Sequence, residues 1–543
     1  MAIVVHSTVR CWNWRTLLFL TVILTISGLI LMACDSSDTS PTVPPGAEPD
    51  DLTLEPCTFK TDDGEYDADC GTLVVPENRA KTDSRLIALP VIRVRATGNN
   101  PAEPIFWFAG GPGQSNMKFP PPAWLFVRHD YVMVGYRGVD GSSVLACPEY
   151  DRVLRSKSAG GDALSEEMLA KVAEAMAECA ARLKAEGVDL DGYTTPEVVK
   201  DIEAARKALN YERVDLLSGS YGTRVAQIYA YLHPESLFRT VMSGASTPGG
   251  IVWEPVILDA QLRDYARLCA QDGECSTRTS DLAETIRRVA HNMPRRWLFL
   301  PIDPGNVKVV TIQMLYSRRT APMAFDAYLA AEQGDPSGLA LMSLAGLAPT
   351  GITWGAFFSK AYSMDYDPSR DYAADMDPPD SILGSPYSLG IWSTAWAWPV
   401  RLIPTELRQA HPSDVETLII SGSIDVAAPA ELATKELLPH LSKGQQVILA
   451  EMSHHDLPET NQPEAIERLL TSFYDTGVAD DSLYTYAPID FQVSWGYPAL
   501  AKLLLGLVLL LIAAVVTITW FVVRRVQRRK ARQAAMTAEK VSA

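Results

Sequence analysis

The sequence predicts an α/β protein in which helices cover both faces of a mostly parallel sheet. Short apolar runs recur along the chain, and the later runs alternate with helical patterns. One such run, residues 214–217, follows an amphipathic helix at residues 196–209 and precedes a second helix that continues to residue 232. The chain has 543 residues with 47% apolar content, enough for a large core and an inserted second domain.

Seven strands and one insertion account for the central part of the chain. Between residues 246 and 400 the alternation stops, and helical stretches at 258–269 and 282–293 precede a region rich in Asp, Pro, Tyr and Trp. We expect this segment to form a helical cap between two parts of a core, residues 56–245 and 401–478. Trp392, Trp396 and Trp398 either line a substrate pocket there or pack between cap and core. The predicted strands are residues 86–94, 105–108, 131–134, 214–217, 240–243, 417–421 and 447–450.

Ser220 lies at a sharp turn between a strand and a helix. This position projects a hydroxyl clear of the sheet, and small neighbours such as Gly219 and Gly222 are needed where the backbone is crowded. Ser218 stands where the G-x-S-x-G pattern has its first glycine. The turn therefore predicts a nucleophilic serine.

A serine nucleophile needs a base and a carboxylate that orients the base, and both have candidates in the expected chain order. Asp425 follows the strand at 417–421, and an Asp that serves only the turn is the alternative. His454 and His455 follow the next strand. We favour His454 as the base because a small residue precedes it, and His455 stays the alternative.

The oxyanion that forms during acyl transfer requires two backbone N–H donors. Tyr221, the residue after Ser220, supplies one. The other is expected from the glycine-rich loop after the strand at 105–108, where Pro112 has no N–H. Gly111 is therefore the preferred donor and Gly110 the second choice.

Together these segments resemble the exported serine peptidases of the α/β-hydrolase fold, which include tripeptidyl aminopeptidases and proline iminopeptidases. The likeness spans about residues 56–475. It implies the triad Ser220, Asp425 and His454 and a helical cap between the two halves of the core. Ala109 stands where proline iminopeptidases have a histidine, which favours the tripeptidyl branch. The motifs that carry the likeness are residues 110–113, 136–138, 142–147, 201–209, 220–223, 421–425 and His454.

Both ends of the chain predict contact with a membrane. Residues 1–33 have the pattern of a lipoprotein signal peptide with Cys34 as the lipidated residue; an ordinary signal peptide or N-terminal anchor is the alternative. Residues 34–55 read as a disordered tether. Residues 479–502 form a juxtamembrane linker, residues 503–523 carry no charge and predict a transmembrane helix, and the basic tail 524–543 is expected in the cytoplasm. This places the catalytic domain outside a bacterial cell membrane.

The formal net charge is −17, and because the tail from Arg524 contributes +6 and Arg10 with Arg15 contributes +2, residues 34–523 carry about −25, which argues against a nucleic-acid partner. Six cysteines remain after Cys11 and Cys34 are set aside, which suggests three disulfides in an exported domain. No cysteine spacing suggests a metal site, and no cofactor is expected. The simplest connectivity joins sequence-local pairs: Cys57 with Cys70, Cys147 with Cys179, and Cys269 with Cys275.

The sequence therefore predicts a membrane-anchored serine hydrolase outside the cytoplasm. The resemblance implies an aminopeptidase that releases N-terminal residues or tripeptides from short peptides through an acyl-enzyme. A carboxylesterase or lipase acting on acyl esters is the alternative, and a catalytically silent surface binding protein is a third class, disfavoured by the complete triad.

Overall fold

A mixed sheet forms the centre of the protein. The computed structural model describes residues 41–61, 64–118, 121–156, 161–346, 351–456 and 462–541, and within them the sheet has nine strands in the order β1-β2-β3-β5-β4-β6-β7-β10-β11. The pairs along β1-β2-β3-β5 are antiparallel, and the remaining five pairs are parallel. The predicted α/β class with a mostly parallel sheet is confirmed. The strands are β1 Leu52–Thr61, β2 Gly64–Pro76, β3 Leu86–Val94, β4 Ile105–Phe108, β5 Tyr131–Val134, β6 Val214–Gly219, β7 Leu237–Ser243, β8 Arg296–Trp297, β9 Leu300–Pro301, β10 Glu416–Gly422 and β11 Gly444–Leu449.

The long hairpin of β1 and β2 was not predicted. Strand β1 begins at Leu52, so the boundary of the predicted tether at residue 55 is wrong by four residues. This edge strand alternates between half-buried and exposed residues, and it is held by pairing with β2 rather than by an apolar run of its own. Cys34 and the predicted signal peptide lie outside the described residues.

Helices cover both faces of the sheet and form most of the insertion. Along β5, Tyr131 and Met133 pack on one face, whereas Val132 and Val134 pack on the other, because side chains alternate along a strand. The helices are α1 Pro148–Leu154, α2 Glu166–Ala185, α3 Thr195–Ala208, α4 Tyr221–Leu232, α5 Pro255–Gln271, α6 Cys275–Arg278, α7 Leu282–His291, α8 Pro304–Leu315, α9 Ala321–Glu332, α10 Ser337–Ala345, α11 Trp354–Asp365, α12 Tyr372–Asp375, α13 Pro386–Trp392, α14 Ala430–Leu432, α15 Pro463–Thr476 and α16 Tyr497–Val541.

The insertion divides into two parts that pack differently. Helices α5 and α7–α10 enclose a hydrophobic cluster of their own and form the cap. Helix α11 is buried along its whole length and packs into the cluster on the sheet, although the sequence assigned residues 246–400 to one cap. Trp392 and Trp398 belong to that sheet cluster, whereas Trp396 is 70% exposed. The two buried indoles therefore serve packing.

The described part of the chain contains one helix long and apolar enough to cross a membrane. This helix is the segment Tyr497–Met536 of α16. Only 6% of its most apolar stretch is buried inside the protein. The start of this helix contacts the cap: Lys502 forms an ion pair with Asp335 at 2.5 Å, and the Tyr497 hydroxyl lies 3.6 Å from the Met314 sulfur.

Candidate active site

Ser220 occupies the turn between β6 and α4 in a backbone conformation that few non-glycine residues adopt, with φ 53° and ψ −124°. Its N–H donates to the Ser243 carbonyl at 2.9 Å, which ties the turn to the end of β7. A side chain at Gly222 would collide with the carbonyl oxygens of Phe108 and Ala109. The small residue at 222 is therefore required by the close approach of β4.

Ser218 fits the position where glycine is usual because its hydroxyl has a partner. The side chain is fully buried, and Oγ donates to the Val241 carbonyl of the neighbouring strand at 2.8 Å. A buried hydroxyl with such a partner avoids the cost of an unsatisfied polar group. The departure from the glycine pattern therefore leaves the turn intact.

Ser220, His454 and Asp425 form one chain of hydrogen bonds, although they are far apart in sequence. His454 Nε2 lies 2.9 Å from Ser220 Oγ, and His454 Nδ1 lies 2.9 Å from Asp425 Oδ2. Asp425 follows β10, and His454 follows β11, the strand parallel to it. The carboxyl ends of these parallel strands thus lie on the same side of the sheet, and the three side chains meet there.

Asp425 is fully buried and held in its ionised form. Its Oδ1 accepts the N–H groups of Ala427 and Ala428, each at 2.8 Å. Burial raises the pKa of this carboxyl, but the neighbouring His454 and the two N–H donors outweigh burial and hold the pKa below its usual range. A charged Asp425 can orient the imidazole and stabilise its protonated form.

His455, the alternative base, points elsewhere. Its side chain is exposed, its ring lies 5.1 Å from the Tyr316 ring, and its N–H donates to the Tyr316 carbonyl at 2.7 Å. His454 is buried beside Ser220. The geometry therefore selects His454 as the partner of Ser220.

The glycine-rich loop lies directly beside the nucleophile. A Cβ atom added to Gly110 would lie 3.0 Å from Ser220 Cβ and 3.6 Å from Ser220 Oγ. Among the hydrogen bonds of the described residues, none uses the N–H groups of Gly110, Gly111 or Tyr221. These groups are thus available to an oxyanion, and the structure leaves the choice between Gly110 and Gly111 open.

Two sets of hydrogen bonds hold this loop, one made by the buried Asn116 and one by Thr353 of the insertion. Asn116 is fully buried; its Oδ1 accepts the Ala109 N–H at 2.7 Å, and its amide donates to the carbonyls of Trp107 and Val134. Thr353, just before α11, donates its N–H to the Gly113 carbonyl at 2.9 Å. Neither residue was predicted, because one polar side chain in a loop gives no signal of what it will contact.

Aromatic residues of the cap approach the histidine. The Tyr316 ring stands edge-on to the His454 ring, with 5.3 Å between centroids and 86° between planes. Trp253 donates its indole N–H to the Ala427 carbonyl at 3.0 Å and packs against Tyr387, with 5.7 Å between ring centroids. Aromatic residues of the insertion therefore lie beside His454 and beside the loop of Asp425, an arrangement that depends on tertiary packing and that the sequence pattern does not show.

The structure joins all six cysteines in the sequence-local pairs that the sequence favours: Cys57 with Cys70, Cys147 with Cys179, and Cys269 with Cys275. Each pair stabilises a different region, namely the edge hairpin, the contact of α1 with α2, and the end of α5. Among the described residues, no group of three or more His, Cys, Asp or Glu side chains is arranged to hold a metal ion.

Comparison with known proteins agrees with this geometry. Residues 103–284, which contain the glycine-rich loop and the Ser220 turn, match a family model described as alpha/beta hydrolase fold. Over 412 residues the chain is 25% identical to the tripeptidyl aminopeptidase of Streptomyces lividans, covering 67% of this chain and 74% of that protein. The chain is a serine hydrolase with the α/β-hydrolase fold. The resemblance to serine peptidases predicted from its motifs is confirmed.

Two further proteins are similar to this hydrolase. It is 28% identical over 258 residues to the serine protease Hip1 of Mycobacterium tuberculosis (strain ATCC 25618 / H37Rv), covering 44% of this chain and 48% of that protein. A solved structure of the proline iminopeptidase of Mycobacterium smegmatis matches 75% of this chain and 98% of its own, with 14% identity and a TM-score of 0.37.

Proposed function

We propose that this hydrolase is a membrane-anchored aminopeptidase that releases tripeptides or N-terminal residues from short peptides outside the cytoplasm. The observation that carries the catalytic part is the hydrogen-bonded chain from Ser220 through His454 to the buried Asp425. The peptidase part is supported by the similarity to a tripeptidyl aminopeptidase and a serine protease.

Catalysis begins when His454 Nε2 takes the proton of the Ser220 hydroxyl and Oγ attacks the carbonyl carbon of the scissile bond. The N–H of Tyr221 and one N–H of the glycine-rich loop, that of Gly111 in the assignment the sequence favours and that of Gly110 in the alternative, hold the oxyanion of the tetrahedral intermediate. As the carbon–nitrogen bond breaks, the protonated His454 returns its proton to the leaving amine, and the acyl group stays on Ser220. Water, deprotonated by His454, then attacks the acyl-enzyme and frees Ser220. Asp425 stays ionised throughout.

The anchoring part of the proposal is supported by the two ends of the chain. Helix α16 is long enough to span a bilayer, and the basic residues that follow residue 523 favour a cytoplasmic tail. The three disulfides fit an oxidising compartment. Lipidation of Cys34 would add a second anchor, and incorporation of a fatty-acid probe that is lost in Cys34→Ser would support it.

The substrate class is tested by side-by-side turnover. The full chain in detergent is given a tripeptidyl anilide with a free amino terminus, the same anilide with an acetylated amino terminus, and short acyl esters of p-nitrophenol. We expect turnover of the free anilide, much slower turnover of the acetylated one, and none by Ser220→Ala. Ester hydrolysis without turnover of either anilide would instead show an esterase.

A further inference from the structure

The segment that leads to the membrane helix passes beside the loop that carries His454. Residues 484–491, here named the strap, contact one end of the His454 loop, residues 451–456. The carboxylate of Glu451 accepts the hydroxyl of Tyr486 and the N–H of Ile489, the latter at 2.6 Å. The Tyr484 hydroxyl donates to the carbonyl of Ala450 at 3.2 Å.

The other end of the loop is held by the cap. Asp456 accepts the Ser317 hydroxyl at 2.7 Å and the Arg318 N–H at 2.8 Å, and the Ser453 hydroxyl donates to the Leu315 carbonyl at 2.6 Å. The side chain of Arg318 then reaches back to the strap, where it donates to the carbonyl of Ala487 at 2.8 Å and that of Pro488 at 2.5 Å. The loop that carries His454, the cap and the strap are thus joined in one closed circuit of hydrogen bonds.

The strap is itself fixed at its far end. Ile489 and Phe491 are buried in the hydrophobic cluster of the cap, and Phe491 stacks on Phe325 of α9 with 6.3 Å between ring centroids. Six residues after Phe491 the chain enters α16. The membrane anchor and the contacts with the His454 loop therefore belong to one continuous segment, which is held to the cap through the buried Ile489 and Phe491.

The loop needs this support because its own backbone does not favour the observed shape. Glu451 has φ 54°, in the left-handed region that a side chain other than glycine seldom occupies. It is kept there by its N–H bond to Ser423 Oγ at 2.8 Å and by the strap. Proton transfer depends on a short Nε2 to Oγ distance, so a shift of about 1 Å in the loop is enough to slow it severely.

We propose that the strap positions His454 for proton transfer. Glu451, at one end of the His454 loop, and Arg318, which bonds the other end, are the positioning residues. The proposal rests on the proposed function, because it takes His454 as the base. The segment that anchors the enzyme in the membrane would then also complete the scaffold of its active site.

The test compares four variants of the full chain in detergent: Glu451→Ala, Glu451→Gln, Arg318→Ala and Tyr486→Phe. We expect kcat to fall by about 10- to 100-fold in Glu451→Ala and by about 10-fold in Arg318→Ala, with KM within about twofold. Glu451→Gln should recover most of the lost kcat, since an amide oxygen still accepts the Ile489 N–H. Tyr486→Phe, the mildest change, should lower kcat by about threefold and leave the melting temperature almost unchanged.

The matched control is Arg468→Ala, which removes a surface ion pair in the same half of the core; among the described residues the side chain of Arg468 bonds to Asp480 and not to the His454 loop. It should keep the wild-type kcat. If all four variants fold and keep kcat within twofold of wild type, the positioning role is overturned, while wild-type turnover still supports the proposed function. If wild type neither turns over substrate nor reacts with a fluorophosphonate at Ser220, both proposals fall together.

Discussion

At the scale of single residues, the site depends on how closely small residues let the backbone approach Ser220 and His454. Gly244, just after β7, is the clearest case. Its φ is +57°, and an added Cβ atom would lie 3.0 Å from His454 Cε1 and 3.1 Å from His454 Nδ1. A side chain at this position would press on the ring that must accept the serine proton.

We therefore predict that Gly244→Ala lowers kcat by about 100-fold, because the methyl group displaces the imidazole from Ser220. KM should change much less. Gly249→Ala is the matched control: its φ is also positive, +77°, but an added Cβ atom has nothing within 4 Å. Steady-state kinetics of both variants test this prediction. An equal loss of kcat in Gly244→Ala and Gly249→Ala would assign the effect to backbone strain instead of contact with His454.

The triad candidates were visible in the sequence because each follows an apolar strand, and strand ends fix where side chains can meet. The sequence left His454 and His455 both open. Burial and the distance to Ser220 distinguish them in the structure. Gly244 and Tyr316 gave no signal, since the contact of Gly244 with His454 depends on the order of strands in the sheet and that of Tyr316 depends on how the insertion packs on the core.

At the scale of elements, helix α11 is the main departure from the sequence prediction. Its twelve residues are all buried, so it has no exposed polar face that would have marked it as a surface helix. It carries Lys360, whose ammonium donates to the Arg137 carbonyl at 2.8 Å in a fully buried position. Burial and the nearby Arg137 lower the pKa of Lys360, Asp140 and Asp201 oppose this shift, and the resulting pKa is about 7.

We predict that Lys360 makes the stability of the protein rise with pH. Because the pKa of Lys360 is lower in the folded state than the 10.5 of an ordinary exposed lysine, the unfolded chain binds more protons between about pH 7 and pH 10.5, and the free energy of unfolding increases over that window. The gain is roughly 3–5 kcal/mol in total. Lys360→Met should lose this dependence, so its stability relative to wild type is greatest at or below pH 7.

Melting temperatures of wild type and Lys360→Met from pH 6 to pH 10 test this. Lys443→Met, the same substitution at an exposed position, serves as the control and should follow wild type. A constant difference between wild type and Lys360→Met across the range would contradict the prediction.

The accuracy of the strand predictions follows the degree of burial. Strands β3, β4 and β5 begin and end where the apolar runs do, because both faces of these strands are covered. Strand β1 is at an edge and half-exposed, so its residues carry no such run. The cap boundary was misjudged for a related reason: a helix pattern does not tell which of two hydrophobic clusters the helix joins.

At the scale of the whole molecule, the proposed function places the hydrolase domain and the basic tail on opposite sides of the membrane. The hydrolase domain carries three disulfides and precedes α16, and the basic residues follow it. We predict that a green fluorescent protein fused after Ala543 fluoresces and resists protease added to spheroplasts, whereas the hydrolase domain is digested. Alkaline phosphatase fused at the same position should be inactive. An active phosphatase fusion would place the tail outside.

The central claim is that Ser220, activated by His454 and Asp425, receives the acyl group. Mass spectrometry of the full chain after treatment with a fluorophosphonate tests it most directly, with peptide mapping of the adduct. We predict one adduct on the peptide that contains Ser220 in wild type, none in Ser220→Ala, and a much slower reaction in His454→Ala. Undiminished labelling of Ser220→Ala would contradict the claim.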